Sequence, residues 1–411
     1  MPDNTPDNFS CNFCGKLRKE VDKLVAGPEV YICNECIELS HRILQADNEE
    51  ETILDTENVP TPEEIKAHLD EFVIGQDDAK ITLAVSAYNH YKRILFNDIK
   101  HNEIEKSNVL MLGPSGTGKT LLVKTLSDFL KVPFAVADAT TLTEAGYVGE
   151  DVESVLQRLY KNSNNNLEDA QRGIVFIDEI DKKSRSSESN TNTRDVSGQG
   201  VQQALLRLVE GTVVEIAEGS KAQQPKSPII EFDTTNVLFI TAGAFVGIED
   251  IVNKRLSKGS KIGFKGVVDL EKPEIKCIPE DLIMYGLIPE LVGRFPIITK
   301  LDELTEEQFV SIMKNSKRSV TKQYQELFLL DGIELNLLDD FYRDVAAKVK
   351  KSKVGARGIR SLCEECFKML MYYLPKLNKK QIQSIEISNL TDKPILNLGN
   401  VTEEFEVDKL K

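Results

Sequence analysis

Residues 113–120 read Gly-Pro-Ser-Gly-Thr-Gly-Lys-Thr, which fits the pattern G-x-x-x-x-G-K-[ST] at every fixed position. In such a turn, backbone N–H groups close around phosphate oxygens, and the N-terminus of the next helix adds partial positive charge. Lys119 can reach the β- and γ-phosphates of a nucleotide, and the Thr120 hydroxyl can ligate Mg²⁺. The residues expected to bind ATP here are Gly113, Pro114, Ser115, Gly116, Thr117, Gly118, Lys119, Thr120 and Leu121.

A second motif supplies two neighbouring carboxylates. Residues 174–179 read Ile-Val-Phe-Ile-Asp-Glu, an apolar strand pattern that ends at Asp178 and Glu179. Asp178 can hold the water shell of Mg²⁺, and Glu179 can activate a water molecule for attack on the γ-phosphate. Together with the phosphate loop, this pair predicts Mg²⁺-dependent ATP hydrolysis.

Four cysteines near the start of the chain have the spacing of a metal site. Cys11 and Cys14 form one C-x₂-C pair, Cys33 and Cys36 form another, and eighteen residues separate the pairs. Two such knuckles complete a tetrahedral four-thiolate Zn²⁺ site with no open position, so we expect a structural zinc. The later pair Cys363 and Cys366 has no partner pair, and we interpret it as core thiols.

The surrounding pattern predicts an α/β protein of several domains. Strands and helices alternate between residues 109 and 301, as in a parallel sheet. We expect a zinc module at residues 1–46, an acidic flexible linker at 47–60, a large P-loop ATPase domain at 61–301 and a small α/β lid domain at 302–411.

Composition limits the classes of partner. The net charge is −15, which argues against general affinity for nucleic acid or anionic membranes. The polar start shows no targeting signal, and no apolar run is long enough to span a membrane. Seven cysteines in 411 residues do not suggest a disulfide framework. We therefore expect a soluble cytoplasmic protein that binds neither nucleic acid nor membranes.

Taken together, the zinc module, the phosphate loop and the Asp-Glu strand resemble the ClpX family of AAA+ unfoldases over nearly the whole chain. The resemblance implies a homohexameric ring that uses ATP to unfold tagged proteins and deliver them to the ClpP peptidase. It also implies that the zinc module dimerises and receives adaptors or substrates.

The resemblance assigns further residues around the nucleotide. Arg294 matches the family's arginine finger, which acts on the nucleotide of a neighbouring subunit, and Arg357 in Gly-Ala-Arg-Gly matches sensor 2. Val73 and Ile74 match positions near adenine. Thr241, at the expected end of a strand, is a candidate for sensor 1.

Three loops resemble the family's contacts with protein. Tyr147 and Val148 match the pore loop that grips substrate, and Arg194 matches a second pore loop. A further loop contains Ile262, Gly263 and Phe264, which match the sequence that docks ClpP. Residues 219–226 keep only scattered lysines where the family often has a basic cluster at the channel entrance, which leaves open whether its preference for tags that end in a carboxylate carries over.

Two other classes of function remain open from the sequence. A DNA-remodelling AAA+ motor would share the ATP site, although the acidic charge and Tyr147 argue against it. A zinc-binding scaffold without catalysis is the second alternative, and the intact set of Lys119, Asp178 and Glu179 argues against that.

Overall fold

The computed structural model describes residues 10–28, 30–37, 39–40, 59–100, 104–143, 150–184, 198–217, 228–259, 276–378, 382–398 and 401–405. The chain divides into two units, Met1–Asn58 and Val59–Lys411.

The first unit is built on a short antiparallel hairpin. Strands β1 (Leu24–Gly27) and β2 (Val30–Cys33) pair so that Leu24 lies opposite Cys33. Among the residues that the structure describes in this unit, the buried apolar side chains of the core, apart from the cysteines, are Val21 and Leu24. So small a core gives little stability of its own, which is typical of modules that fold around a metal.

The second unit contains the remaining helices and strands. Its helices are α1 (Pro62–Phe72), α2 (Asp77–Lys100), α3 (Lys119–Leu130), α4 (Ser154–Asn162), α5 (Leu167–Gln171), α6 (Gln199–Glu210), α7 (Ile248–Gly259), α8 (Pro279–Tyr285), α9 (Pro289–Gly293), α10 (Glu306–Lys314), α11 (Val320–Leu330), α12 (Asp339–Ser352) and α13 (Arg357–Asn378). Its strands are β3 (Val109–Leu112), β4 (Phe134–Asp138), β5 (Leu142–Thr143), β6 (Glu150–Asp151), β7 (Ile174–Asp178), β8 (Val213–Ala217), β9 (Ile229–Asp233), β10 (Leu238–Gly243), β11 (Ile297–Lys300), β12 (Glu334–Leu337), β13 (Ser384–Ile387), β14 (Ile395–Asn397) and β15 (Thr402–Glu404).

A five-stranded parallel sheet organises the first part of this unit. Its strand order is β11-β3-β10-β7-β4. Every residue of β3 and β10 is buried, as expected for strands covered by helices on both faces. The sheet and the zinc module confirm the predicted α/β P-loop fold. Because β3, β10 and β7 run parallel, the phosphate loop after β3 and the Asp-Glu pair at the end of β7 lie at the same carboxyl edge of the sheet, separated by β10.

A second hydrophobic core follows in the later part of the unit. Strands β12-β13-β14-β15 form a mixed sheet, in which β12 and β13 are parallel and the other pairs antiparallel. Five buried phenylalanines belong to this core: Phe309, Phe328, Phe341, Phe367 and Phe405. Cys363 is buried in this core and Cys366 packs against it, in agreement with their interpretation as core thiols. The bounds assigned to the domains from the sequence stay predictions.

Among the residues that the structure describes, no helix is both long and apolar enough to cross a membrane.

Candidate functional site

The phosphate loop connects β3 to α3 through backbone conformations that favour glycine. Gly113, Gly116 and Gly118 have φ values of 152°, 76° and 103°. A Cβ atom on Gly113 would lie 2.7 Å from the carbonyl oxygen of Leu301. The loop therefore needs glycine both for its conformation and for its packing.

Lys119 is the first residue of α3, and its side chain folds back over the loop. Its Nζ atom donates hydrogen bonds to the carbonyl oxygens of Gly113 at 2.5 Å and Pro114 at 2.8 Å. Burial lowers the pKa of the Lys119 ammonium, while the carboxylates of Asp178 and Asp181 act in the opposite direction. The ammonium is thus held at the loop, where phosphate oxygens can replace the two carbonyls.

A hydroxyl and a carboxylate meet beside the loop. Thr120 Oγ1 donates a hydrogen bond to Asp178 Oδ2 at 3.1 Å, and the backbone N–H of Glu179 donates to Asp178 Oδ1 at 3.0 Å. These oxygen donors suit Mg²⁺, which prefers carboxylates together with water and phosphate. Glu179 is exposed and has a φ of 57°, an uncommon conformation that often marks functional sites.

These residues surround a cavity of about 550 Å³, a volume suited to a nucleotide-sized ligand. Arg357 brings α13 into the lining, so both cores of the second unit contribute. The cavity is lined by Ser115, Gly116, Gly118, Lys119, Thr120, Leu121, Asp178, Glu179, Asp181, Lys182, Ala244, Val320, Ala356, Arg357 and Arg360.

Sequence reasoning missed several of these lining residues. Asp181 follows Asp178 by three positions, and Arg360 follows Arg357 by one helical turn. The spacing of Arg357 and Arg360 places both on one face of α13, and the signal for Asp181 was its position just after the end of β7. Val320 carried no comparable signal, because it comes from a helix far away in the sequence.

The two residues predicted near adenine lie between α1 and α2. Val73 is buried, and its Cγ1 atom would be 3.6 Å from a Cβ atom on Gly118. Ile74 is half-buried. The structure therefore brings Val73 against the phosphate loop, while the contact of either residue with adenine stays a prediction.

Thr241 is not at the end of its strand, and that expectation was wrong. Strand β10 continues to Gly243, because its last residues pair with Met111 and Leu112 of β3. The Thr241 side chain is buried, and its Oγ1 atom has no hydrogen-bond partner among the described residues. Ala244 lines the cavity instead.

Arg294 lies away from the nucleotide cavity of its own chain. Its exposed guanidinium forms an ion pair with Glu210 at 2.8 Å. Its carbonyl oxygen accepts a hydrogen bond from Asn108 Nδ2 at 3.0 Å, which ties it to the residue before β3. This placement leaves the side chain accessible to another molecule.

The first unit brings the four predicted cysteines together. The Sγ atoms of Cys11, Cys14, Cys33 and Cys36 all lie within 4.8 Å of one another. The Sγ atoms of Cys14 and Cys33 are 3.7 Å apart, close to the edge of about 3.8 Å expected for a tetrahedron with Zn–S bonds of about 2.3 Å. Backbone N–H groups of Cys33 and Cys36 point at the sulfurs of Cys11 and Cys33 at 3.3 and 3.4 Å. The donor set therefore fits Zn²⁺.

The residues assigned to protein contacts lie outside the described residues. These are Tyr147, Val148, Arg194, Ile262, Gly263 and Phe264, together with residues 219–226. Their roles stay predictions.

Comparison with known families gives two matches. Residues 10–46 match the family model of the ClpX C4-type zinc finger. Residues 104–298 match that of the AAA domain of the Cdc48 subfamily. The first match contains all four cysteines, and the second contains the phosphate loop, Asp178, Glu179 and Arg294.

Proposed function

The chain belongs to the ClpX family of AAA+ proteins, and on that premise we propose that it is a Mg²⁺-dependent ATPase that unfolds proteins, moves them through a hexameric ring and delivers them to the ClpP peptidase. One observation carries the proposal. The phosphate loop, Asp178 and Glu179 face Arg357 across a single cavity. This combination of groups suits hydrolysis coupled to movement of α13.

The residues of the cavity have separate tasks in hydrolysis. Lys119 holds the β- and γ-phosphates, while Thr120 and Asp178 provide oxygen ligands and water contacts for Mg²⁺. Bound Mg²⁺ supplies Lewis-acid stabilisation of phosphate charge. Glu179 accepts a proton from the attacking water, and its exposed position at the strand end leaves room for that water.

The position of Arg294 supports a ring of subunits. Its guanidinium does not line the cavity of its own chain and is bound to Glu210 on the surface. A guanidinium can stabilise charge on a γ-phosphate only at short range, so it must act on a neighbouring chain's nucleotide. A heterologous contact of this kind forms a ring when the rotation between subunits closes, and a hexamer fits the family.

Movement of the ring would transmit the energy of hydrolysis to substrate. Arg357 begins α13, so a change at the phosphates can alter the position of the later core. We assign substrate gripping to Tyr147 and Val148 together with Arg194, ClpP docking to Ile262, Gly263 and Phe264, and adaptor binding to the zinc module.

The test is degradation of a stably folded, tagged substrate by the purified protein with ClpP and ATP. We expect degradation that requires both ATP and ClpP. ATPase activity without DNA, present in the same preparation, distinguishes this function from a DNA-remodelling motor. ATP hydrolysis without loss of the folded substrate, across several tags, would contradict the unfoldase assignment.

A further inference from the structure

A third carboxylate, Asp181, lies in the nucleotide cavity. Asp181 belongs to a one-turn 3₁₀ helix, Ile180–Lys183. This turn follows Glu179, whose backbone has the left-handed conformation. The Asp181 side chain is 1% exposed. A carboxylate so deeply buried needs hydrogen-bond donors to replace its hydration, so the partners of its two oxygens indicate its role.

The first oxygen of Asp181 has a structural contact. Oδ1 accepts a hydrogen bond from the backbone N–H of Ala244 at 3.2 Å. A Cβ atom on Gly243 would lie 2.6 Å from the same oxygen. The carboxylate is therefore fixed against the residues where β10 ends.

The second oxygen has no such partner. Within the part of the chain that the structure describes, no group donates a hydrogen bond to Asp181 Oδ2. Its nearest charged neighbour is Lys182, whose Nζ atom forms an ion pair with it at 3.7 Å, a distance too long for a hydrogen bond. The side chain thus has one oxygen bound to the fold, while the other is buried at the cavity wall without a hydrogen-bond donor, next to the ammonium of Lys182, which also lines the cavity.

The end of β10 provides no polar side chain at this corner of the site. Thr241 is buried within the strand, and the residues that follow it are Ala242, Gly243 and Ala244. A polar contact beside Glu179 must therefore come from another element. Asp181 meets this need, because it lines the cavity and is bonded to the end of β10.

We propose that Asp181 is a further catalytic residue that orients the attacking water: Oδ2 accepts a hydrogen bond from that water while Oδ1 holds the geometry fixed to β10. This inference rests on the ATPase activity proposed above. As the water oxygen bonds to the γ-phosphorus, the bond from that phosphorus to the bridging oxygen of ADP breaks. One proton of the water passes to Glu179, and the O–H group that points at Asp181 stays intact.

The decisive variant is Asp181→Asn, which keeps the size of the side chain and an oxygen to accept from Ala244. Hydrolysis is measured as ATP turnover over a range of ATP concentrations, which gives kcat and KM. Nucleotide binding is measured separately with a fluorescent ADP analogue. We expect kcat to fall at least about 10-fold, because the attacking water loses a contact that orients it toward the γ-phosphorus. KM and the Kd for a fluorescent ADP analogue should stay within about twofold, because no phosphate contact is removed.

The melting temperature without nucleotide provides a readout that does not depend on activity. Replacing a buried carboxylate that has a hydrogen-bond donor on only one of its oxygens by a neutral amide should leave this temperature unchanged or raise it. A fall in melting temperature together with kcat would assign Asp181 a purely structural role and overturn the inference. Thr299→Val is the matched control, since it removes from β11 a buried hydroxyl that has no partner among the described residues and should leave kcat unchanged.

Titration with Mg²⁺ distinguishes two possible roles of Asp181: orienting the attacking water, or holding the water shell of the metal. If Asp181 orients the attacking water, the Mg²⁺ concentration for half-maximal rate is the same in wild type and Asp181→Asn. Recovery of the full rate at high Mg²⁺, or a normal kcat throughout, would overturn the inference while leaving the ATPase assignment intact. A wild-type protein without ATPase activity would overturn both.

Discussion

The backbone of Gly116 in the phosphate loop lies directly against that of Gly355, the residue two positions before Arg357. A Cβ atom on Gly355 would lie 2.8 Å from Gly116 Cα, and the N–H of Ala356 donates a hydrogen bond to Gly116 O at 3.1 Å. The loop that binds phosphate is therefore in contact with the segment that begins α13. A conformational change in the phosphate loop can therefore be transmitted directly to the start of α13 through this backbone contact.

This contact predicts a specific effect of Gly355→Ala. The new methyl group would lie 2.6 Å from Ser115 O, so the two segments must separate, and the φ of 70° adds strain of about 1–3 kcal/mol. We expect weaker ATP binding and a loss of ATPase activity of about 10-fold or more. Fluorescent nucleotide binding and phosphate release measure the two effects.

Gly332→Ala is the matched control for this prediction. Gly332 has a φ of 76°, but a Cβ atom there would meet nothing within 4 Å. The Gly332→Ala variant should lose only the stability that the strained backbone costs, and it should keep its nucleotide affinity. Equal effects of the two substitutions on ATP binding would show that backbone strain, and not the contact with the loop, is responsible.

Glu179→Gln should bind ATP and hardly hydrolyse it. The water loses the base that accepts its proton, while Lys119 and Thr120 still hold phosphates and Mg²⁺. The rate should fall by about 10²–10⁴, measured as phosphate release beside nucleotide binding. Glu326→Gln, at an exposed position on α11, is a control that should leave both unchanged. Turnover near the wild-type rate would remove Glu179 from the mechanism.

Arg294→Ala should lower hydrolysis and leave nucleotide binding intact, because the guanidinium acts across a subunit contact. Mixing this variant with Glu179→Gln should restore part of the activity, since some sites then combine an intact Glu179 with a neighbour's Arg294. Glu210→Gln breaks only the surface ion pair, worth at most about 1 kcal/mol, and should stay active. Full ATPase activity of Arg294→Ala would contradict the assignment.

The parts of the site that could be predicted from sequence depend on short-range spacing. Lys119 and Asp178 were identifiable because phosphate and metal chemistry need those side chains within a few residues of a strand end. The contact between Gly116 and Gly355 was not, because it joins segments far apart in the chain. Thr241 was misplaced because pairing with β3, and not the local sequence, sets where β10 ends.

Phe264→Ala should weaken ClpP binding without loss of ATPase activity. Burying a phenylalanine in a partner's pocket is worth about 1.5–3 kcal/mol, and six subunits multiply the effect through effective concentration. A pull-down with ClpP, next to a melting curve, measures attachment and stability. A variant that loses thermal stability and ATPase activity together would show that Phe264 packs within its own domain instead.

Cys14→Ser should release the metal and leave the ATPase intact. Four thiolates close the coordination shell, and the cluster of Cys11, Cys14, Cys33 and Cys36 lies in the first unit, apart in sequence from Lys119 and Asp178. Metal analysis should find one Zn²⁺ per wild-type chain and almost none in the variant, because the module's small core depends on the metal for its stability. Cys363→Ser is the control: it changes a cysteine outside the cluster, so the variant should contain as much Zn²⁺ as the wild type.

Wild-type protein without zinc, or full zinc content in Cys14→Ser, would contradict the four-thiolate site. Loss of ATPase activity together with the metal would show that the first unit is needed for hydrolysis.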